Sequence, residues 1–339
     1  MRDFLKGLWR LSVLLAATLL PCALLLVPAG AWSAIGEIAA PPAATTESTK
    51  PVALPSVACA VNEQAPPVAA VAASVPPKGK GGGTVVEEQL GGGIKLADNL
   101  YYKNRDGLDV DFSAFLNQKP KTVLEKGDAP QVLILHTHTT ETYMNYYAGY
   151  YNPDDMGRST DCAENVAVAG EALANRLRAN GISVIHDTTL HDDPQYAGAY
   201  GRSADTSAAI RKKYPSVKIV IDLHRDAVQR SDTVVVKPTV TYGGESYAQM
   251  MLVIGAEDVA DNPNPNRDEN VKMALALQKE LQAAVPGIMR PIGFCACEYN
   301  QSLYPGFLVE VGAQANTFAE AQRSAAVLGD AIAAILGEN

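Results

Sequence analysis

The stretch VLILHTHTTE, residues 132–141, decides the reading of the fold. Val132–Leu135 is an unbroken apolar run that stops abruptly at His136. A short continuous apolar run reads as a strand buried on both faces, as in a parallel sheet. The residues beyond it fit a crossover back to that sheet. Glu164–Asn180 carries Val166, Ala169, Leu173 and Leu177 at helical spacing, and Gly181 is placed to stop the helix. Ile182–Ile185 reads as a second strand, Ser203–Tyr214 as a helix ending before Pro215, and Val217–Leu223 as a third strand. Gln249–Ile254, the long helix Asp268–Ala284, Phe307–Val311 and the closing helix Phe318–Leu336 continue the alternation. Strands alternating with helices imply right-handed crossovers. The expected class is therefore α/β, with a mostly parallel twisted sheet and helices on both faces.

In such sheets, sites gather where strands end. Val132–Leu135 runs into His136, His138 and Glu141, Val217–Leu223 runs into His224, Arg225 and Asp226, and Glu310 sits within Phe307–Val311. His138 and Glu141 form an H-x-x-E pair. Imidazole nitrogen and carboxylate oxygen both ligate zinc at roughly 2.0–2.2 Å. His224 would complete a set of two histidines and one glutamate, which leaves a position open for water, as in catalytic zinc sites. His136 leaves the same strand and is the alternative to His138. Zinc lowers the pKa of its water towards ~7. A base is then needed nearby, and Glu310 is the candidate because a carboxylate between Val309 and Val311 needs a reason to be there. Asp222 shares a strand face with His224, so Asp222 or Asp226 is placed to orient the imidazole. Arg225 is read either as a substrate carboxylate or oxyanion clamp or as half of a structural ion pair. Asn300, Gln301 and Tyr304 precede the Glu310 strand and read mainly as loop packing.

Outside this core the chain changes character. Arg2, Lys6 and Arg10 precede the uncharged segment Leu11–Ile35, which is long enough to span a bilayer. Flanking positive charge predicts an inside N-terminus and an extracytoplasmic remainder. A cleaved signal peptide ending near Ala29-Gly30-Ala31 is the alternative. Residues 36–94, rich in Pro, Ala, Thr and Ser and ending in glycine runs, read as a flexible spacer, and residues 95–339 as the catalytic domain. The net charge of −9 argues against nucleic acid as a partner. Five cysteines, including the close pair Cys295 and Cys297, form no even disulfide framework.

Four strings resemble the corresponding stretches of the stage II sporulation protein P family. They are HTHTTETY at 136–143, the segment from Asn165 to Asp192, DLHRDA at 222–227 and NQSLYPGFLVEVG at 300–312. The resemblance implies a fold like that of the zinc-dependent N-acetylmuramoyl-L-alanine amidases. It implies cleavage of peptidoglycan between the glycan's lactyl group and the stem peptide, with endopeptidase action on cross-links also credited to the family, during forespore engulfment in the septal intermembrane space. It also implies stage II sporulation proteins D and M as partners and attachment to the cell membrane. It places zinc on the HTHTTE stretch and His224, and the catalytic acid on Glu310. In the wider amidase group the glutamate ligand opens a helix further along, a place that Glu164 occupies here, so Glu141 and Glu164 both stand as candidates. A zinc carboxypeptidase, a cell-separation amidase and an inactive wall-binding recruiter are the rival functions.

Overall fold

The computed structural model describes residues 75–255, 264–296 and 299–338. Contacts divide the chain into Met1–Pro55 and Ser56–Asn339, and the described residues all belong to the second unit. The expected anchor, Leu11–Ile35, and residues 36–74 of the expected spacer lie outside the described residues. Among those described, no helix is long and apolar enough to cross a membrane.

The main sheet has eight strands: β2 (Ile94–Ala97), β3 (Leu100–Asn104), β4 (Gly127–Leu135), β6 (Ile182–His186), β7 (Ile219–Asp226), β11 (Met250–Gly255), β12 (Ile292–Cys295) and β13 (Gly306–Ala313). Their order across the sheet is β2-β3-β12-β11-β13-β7-β4-β6. Five neighbouring pairs are parallel, and two, β2–β3 and β11–β13, are antiparallel, so the sheet is mixed but mostly parallel. The apolar runs alternate between its faces. Val132, Ile134, Ile221, Leu223, Leu252 and Val309 face a core shared with three helices, α1 (Ala167–Ala179), α3 (Arg267–Ala284) and α4 (Phe318–Leu336). Leu133, Leu135 and Val220 point the other way, towards Ile210 on α2 (Ala199–Lys213) and Tyr214 just beyond it. Gly181, with φ of +82°, ends the α1 turn as its position implies.

A second sheet was not evident from the sequence. It runs in the order β10 (Glu245–Ala248), β9 (Val234–Tyr242), β1 (Gly83–Glu88), β5 (Tyr150–Tyr151), with β8 (Gln229–Ser231) also on β9. β1 falls inside the stretch read as spacer. It is parallel to β9, with Thr84 to Glu88 opposite Val234 to Pro238, so the folded unit begins before residue 95.

One ion cluster fastens this sheet to α4. Lys237 on β9 is 2% exposed. Its Nζ lies 2.7 Å from both Glu320 and Glu87 and 3.7 Å from the centre of the Tyr147 ring. The other oxygen of Glu320 accepts from the Thr317 amide and from Asn316, which closes a capping box at the start of α4. Removing one partner of a buried pair strands the other charge, a loss of roughly 3–5 kcal/mol. Lys237→Met is expected to destabilise the protein by that amount in urea unfolding. Adding Glu320→Gln, which keeps the cap but removes the charge, is expected to recover most of it. A loss below about 1 kcal/mol for Lys237→Met would mean that water already reaches the cluster.

Candidate active site

Strands β4, β7 and β13 lie side by side and parallel, so their carboxyl ends open at one place. Glu310 on β13 is in register with His224 on β7, and Asp222 is in register with Leu135 at the end of β4. Even-numbered side chains of β7 face the side covered by α2. There a pocket of about 420 Å³ is lined by His138, Glu141, His224, Arg225, Asp226 and Glu310, all singled out from the sequence. Arg105, Arg158, Tyr196, Tyr200 and Tyr299 complete its polar and aromatic walls.

The turn leaving β4 separates the two candidate histidines. His138 enters the pocket, stacked on Tyr196 with ring centres 4.3 Å apart. His136 is absent from the pocket wall and fully buried behind it. Its Nδ1–H donates to the Leu223 carbonyl at 2.8 Å, and its Nε2 lies 2.9 Å from Nε2 of His186, which pairs in turn with Glu171. Gly170 on α1 makes room for this, because a Cβ there would stand 2.5 Å from His186 and 2.7 Å from His136. Burial, reinforced by His186, pushes the His136 imidazole down to about 3, so it stays neutral. Glu164 is exposed and lines a neighbouring pocket, not this one.

The buried acids surround His224. Glu141 Oε2 lies 3.6 Å from its Nδ1, and Asp222 Oδ1 lies 2.8 Å from its Nε2. The second contact is an ion pair without the alignment of a hydrogen bond. Asp222 is held by the Thr137 amide at 2.8 Å and the Thr137 hydroxyl at 2.7 Å. Burial opposes a charge on His224, but Asp222 and Glu141 outweigh it and hold its pKa well above the ordinary value. Burial also opposes ionisation of Glu141, yet His224 and then Arg225 keep its pKa low. Glu310 is different. Its Oε2 is shut off from solvent with no hydrogen-bond partner, and burial, with Asp226 and Glu141 adding repulsion, pushes its pKa up to about 8.

Arg225 does not pair with Glu310. Its amide donates to Glu141 and its guanidinium to the carbonyls of Thr142 and Asp226. Asp226 pairs with Arg290 at 2.8 Å. Of the loop residues, Gln301 bonds the backbone of β11, and Asn300 binds Tyr200 and Ser203 around α2. Tyr304 packs in the core on that face. Sequence reasoning passed over Arg158 and Asp192. Arg158 pairs with Asp192, stands 3.8 Å from Glu141 and lies over Tyr196 at 4.9 Å. These are loop positions without periodicity, and the one available signal was an acid directly after His191.

The stage II sporulation protein P family matches residues 95–333, about seven-tenths of the chain. The chain belongs to that family. Stage II sporulation protein P of Bacillus subtilis (strain 168) is 30% identical over 225 residues, which cover 63% of this chain and 53% of that one. The chain thus spans about half the length of the curated relative it matches. Among solved structures, the CwlD amidase from Clostridioides difficile, in complex with the GerS lipoprotein, is 14% identical. That match covers 61% of this chain and 98% of that one, with a TM-score of 0.38. The N-acetylmuramyl-L-alanine amidase Ami1 from Mycobacterium smegmatis is 15% identical over 62% and 99%, with a TM-score of 0.35. Family membership and the pocket itself bear the functional reading.

The donors decide the metal fit. Among the described residues, no three His, Cys, Asp or Glu side chains are gathered into a ready-made metal cage. The donor chemistry nevertheless suits one. Buried His138 Nδ1 has no hydrogen-bond partner, His224 turns its Nδ1 towards Glu141 at 3.6 Å while Asp222 takes its Nε2, and all three of His138, His224 and Glu141 line the same pocket. Two imidazoles and one carboxylate are the ligand types of hydrolytic zinc sites.

Proposed function

We propose that the chain is a peptidoglycan hydrolase that cuts the amide between the lactyl group of muramic acid and the first residue of the stem peptide. The observation that carries this reading is the convergence of His138, Glu141, His224 and Glu310, from three separated stretches, on one pocket. Membership of the sporulation family supports the substrate class. His138, Glu141 and His224 would hold zinc, which when bound supplies Lewis-acid polarisation and makes water a stronger acid. Asp222, fixed by Thr137, orients the His224 ring. Glu310 takes a proton from the attacking water as its oxygen bonds to the carbonyl carbon. It returns that proton to the amide nitrogen as the C–N bond breaks.

The same reading places the hydrolytic unit outside the cytoplasmic membrane, tethered through Leu11–Ile35. Its work is thinning of the septal wall during engulfment, alongside stage II sporulation proteins D and M. Incubation of the full chain with purified sacculi, followed by mass analysis of the products, tests it. The expected products are free stem peptides with a new L-Ala amino terminus and glycan bearing a free lactyl carboxylate. A chelator is expected to abolish their release. Loss of only a terminal D-Ala from stems still attached to glycan would show a carboxypeptidase instead, and undiminished cleavage in chelator would remove zinc from the account.

A further inference from the structure

An amide hydrolase needs more than a base. When water adds to the carbonyl carbon, the C=O π electrons move onto oxygen, and a positioned donor facing that oxygen stabilises the charge. From sequence, Arg225 is the candidate for this task. In the structure its guanidinium is committed to the Thr142 and Asp226 carbonyls. Arg158 is likewise committed to Asp192 and lies over the Tyr196 ring. Arg290 pairs with Asp226. Arg105 reaches the pocket from an exposed position, where water screens it.

The geometry points to Tyr200 as a further catalytic residue, whose phenol donates a hydrogen bond to the carbonyl oxygen of the scissile amide as that oxygen gathers negative charge. This rests on the hydrolase reading above. Tyr200 is the second residue of α2 and lines the pocket with His138, His224 and Glu310. Its ring stands edge-on to His138, with centres 5.7 Å apart. It lies nearly parallel to His224 at 6.5 Å and is flanked by Tyr299 at 5.7 Å. Among the described residues, no hydrogen bond engages its hydroxyl, so the donor is free for a ligand.

Its backbone, by contrast, is tied down. The Tyr200 carbonyl accepts from Asn300 at 2.9 Å and from the Ser203 hydroxyl at 3.0 Å. Ser203 meets the Thr137 hydroxyl at 2.8 Å, and Thr137 holds Asp222. The backbone that carries the phenol is therefore tied into the same hydrogen-bond network that positions His224. Such preorganisation is what a donor to a developing oxyanion requires. In the step itself no proton leaves Tyr200. Water's oxygen bonds to carbon, its proton goes to Glu310, and the displaced π pair is held by the phenol's O–H until the C–N bond breaks.

The test compares the full wild-type chain with Tyr200→Phe, which removes one oxygen that the folded protein does not use. On muropeptides, kcat is expected to fall roughly 10²–10³-fold with KM little changed. Affinity for a phosphonamidate analogue, whose tetrahedral oxygen mimics the oxyanion, is expected to fall in similar proportion, while affinity for the released stem peptide is kept. The melting temperature is expected to stay at the wild-type value. If it drops, Tyr200→3-fluorotyrosine, which keeps the shape and makes a more acidic donor, replaces it, and analogue affinity must then differ from wild type. Active wild type with an equally active Tyr200→Phe overturns the assignment, as does a loss confined to KM. Wild type that releases no stem peptide overturns the hydrolase reading and this inference with it.

Discussion

Glu310→Gln is expected to lower turnover by roughly 10²–10⁴-fold, the usual contribution of a positioned base, while zinc and peptidoglycan still bind. Glutamine keeps the shape of glutamate but cannot accept the proton. The site predisposes Glu310 to this role rather than to metal binding. It sits on β13 between Val309 and Val311, its Oε2 is desolvated and unbonded, and burial raises its pKa to about 8. Glu141 stands in the opposite position, ionised beside His224 and accepting from the Arg225 amide at 3.2 Å. Glu141→Gln is therefore expected to weaken zinc binding itself. Metal analysis beside activity on sacculi separates the two. Loss of zinc from Glu310→Gln, with zinc kept by Glu141→Gln, would reverse the roles. Full activity in Glu310→Gln would make Glu310 a structural acid and send the search for a base to Asp226, which already pairs with Arg290.

The second large effect concerns the histidines. His224→Ala and His138→Ala are each expected to lose both bound zinc and measurable wall hydrolysis, because each removes an imidazole that lines the pocket. His136→Asn is expected to behave differently. His136 faces away from the pocket and holds the Leu223 carbonyl and His186. Removing it strands buried polar groups at a loss of about 1–3 kcal/mol each, so stability falls while zinc remains. Zinc stoichiometry and a urea melt on the three variants decide the matter. A zinc-free His136→Asn alongside a zinc-replete His138→Ala would exchange the two residues' roles.

Five of the main sheet's eight strands, β4, β6, β7, β11 and β13, could be read from the sequence because they carry short apolar runs, whereas the largely polar, partly exposed β2 and β3 and the four-residue β12 could not. The helix over Phe318–Leu336 was read at the bounds it has, and the structure adds the capping box of Thr317 and Glu320 at its start. The second sheet was not. β1 follows a glycine run and, with only Val85 and Val86 apolar between Thr84 and two glutamates, shows neither a long apolar run nor alternation, and β9 contains Pro238 and the buried Lys237, both of which argue against a strand until their partners are known. At the site, the strand-end rule located His138, Glu141, His224 and Glu310 because their strands end together. Choosing His138 over His136 needed the direction of one turn. Finding Arg158, Asp192 and Tyr200 needed the packing of loops and of the first turn of α2, which no local pattern encodes.

Strand β1 also has a mechanical meaning. It is the first strand of the described chain, hydrogen-bonded to β9 on one side and β5 on the other. Force applied along β1 would load its ladder to β9 in shear, with the rungs from Thr84 to Glu88 sharing it, rather than peeling them one at a time. Beyond the ladder, tension passes from Glu87 through Lys237 to Glu320 at the head of α4. Pro238 on the same strand also accepts from Asn316, just ahead of α4, so a load entering through β1 would be carried to the head of that helix by two side chains at once.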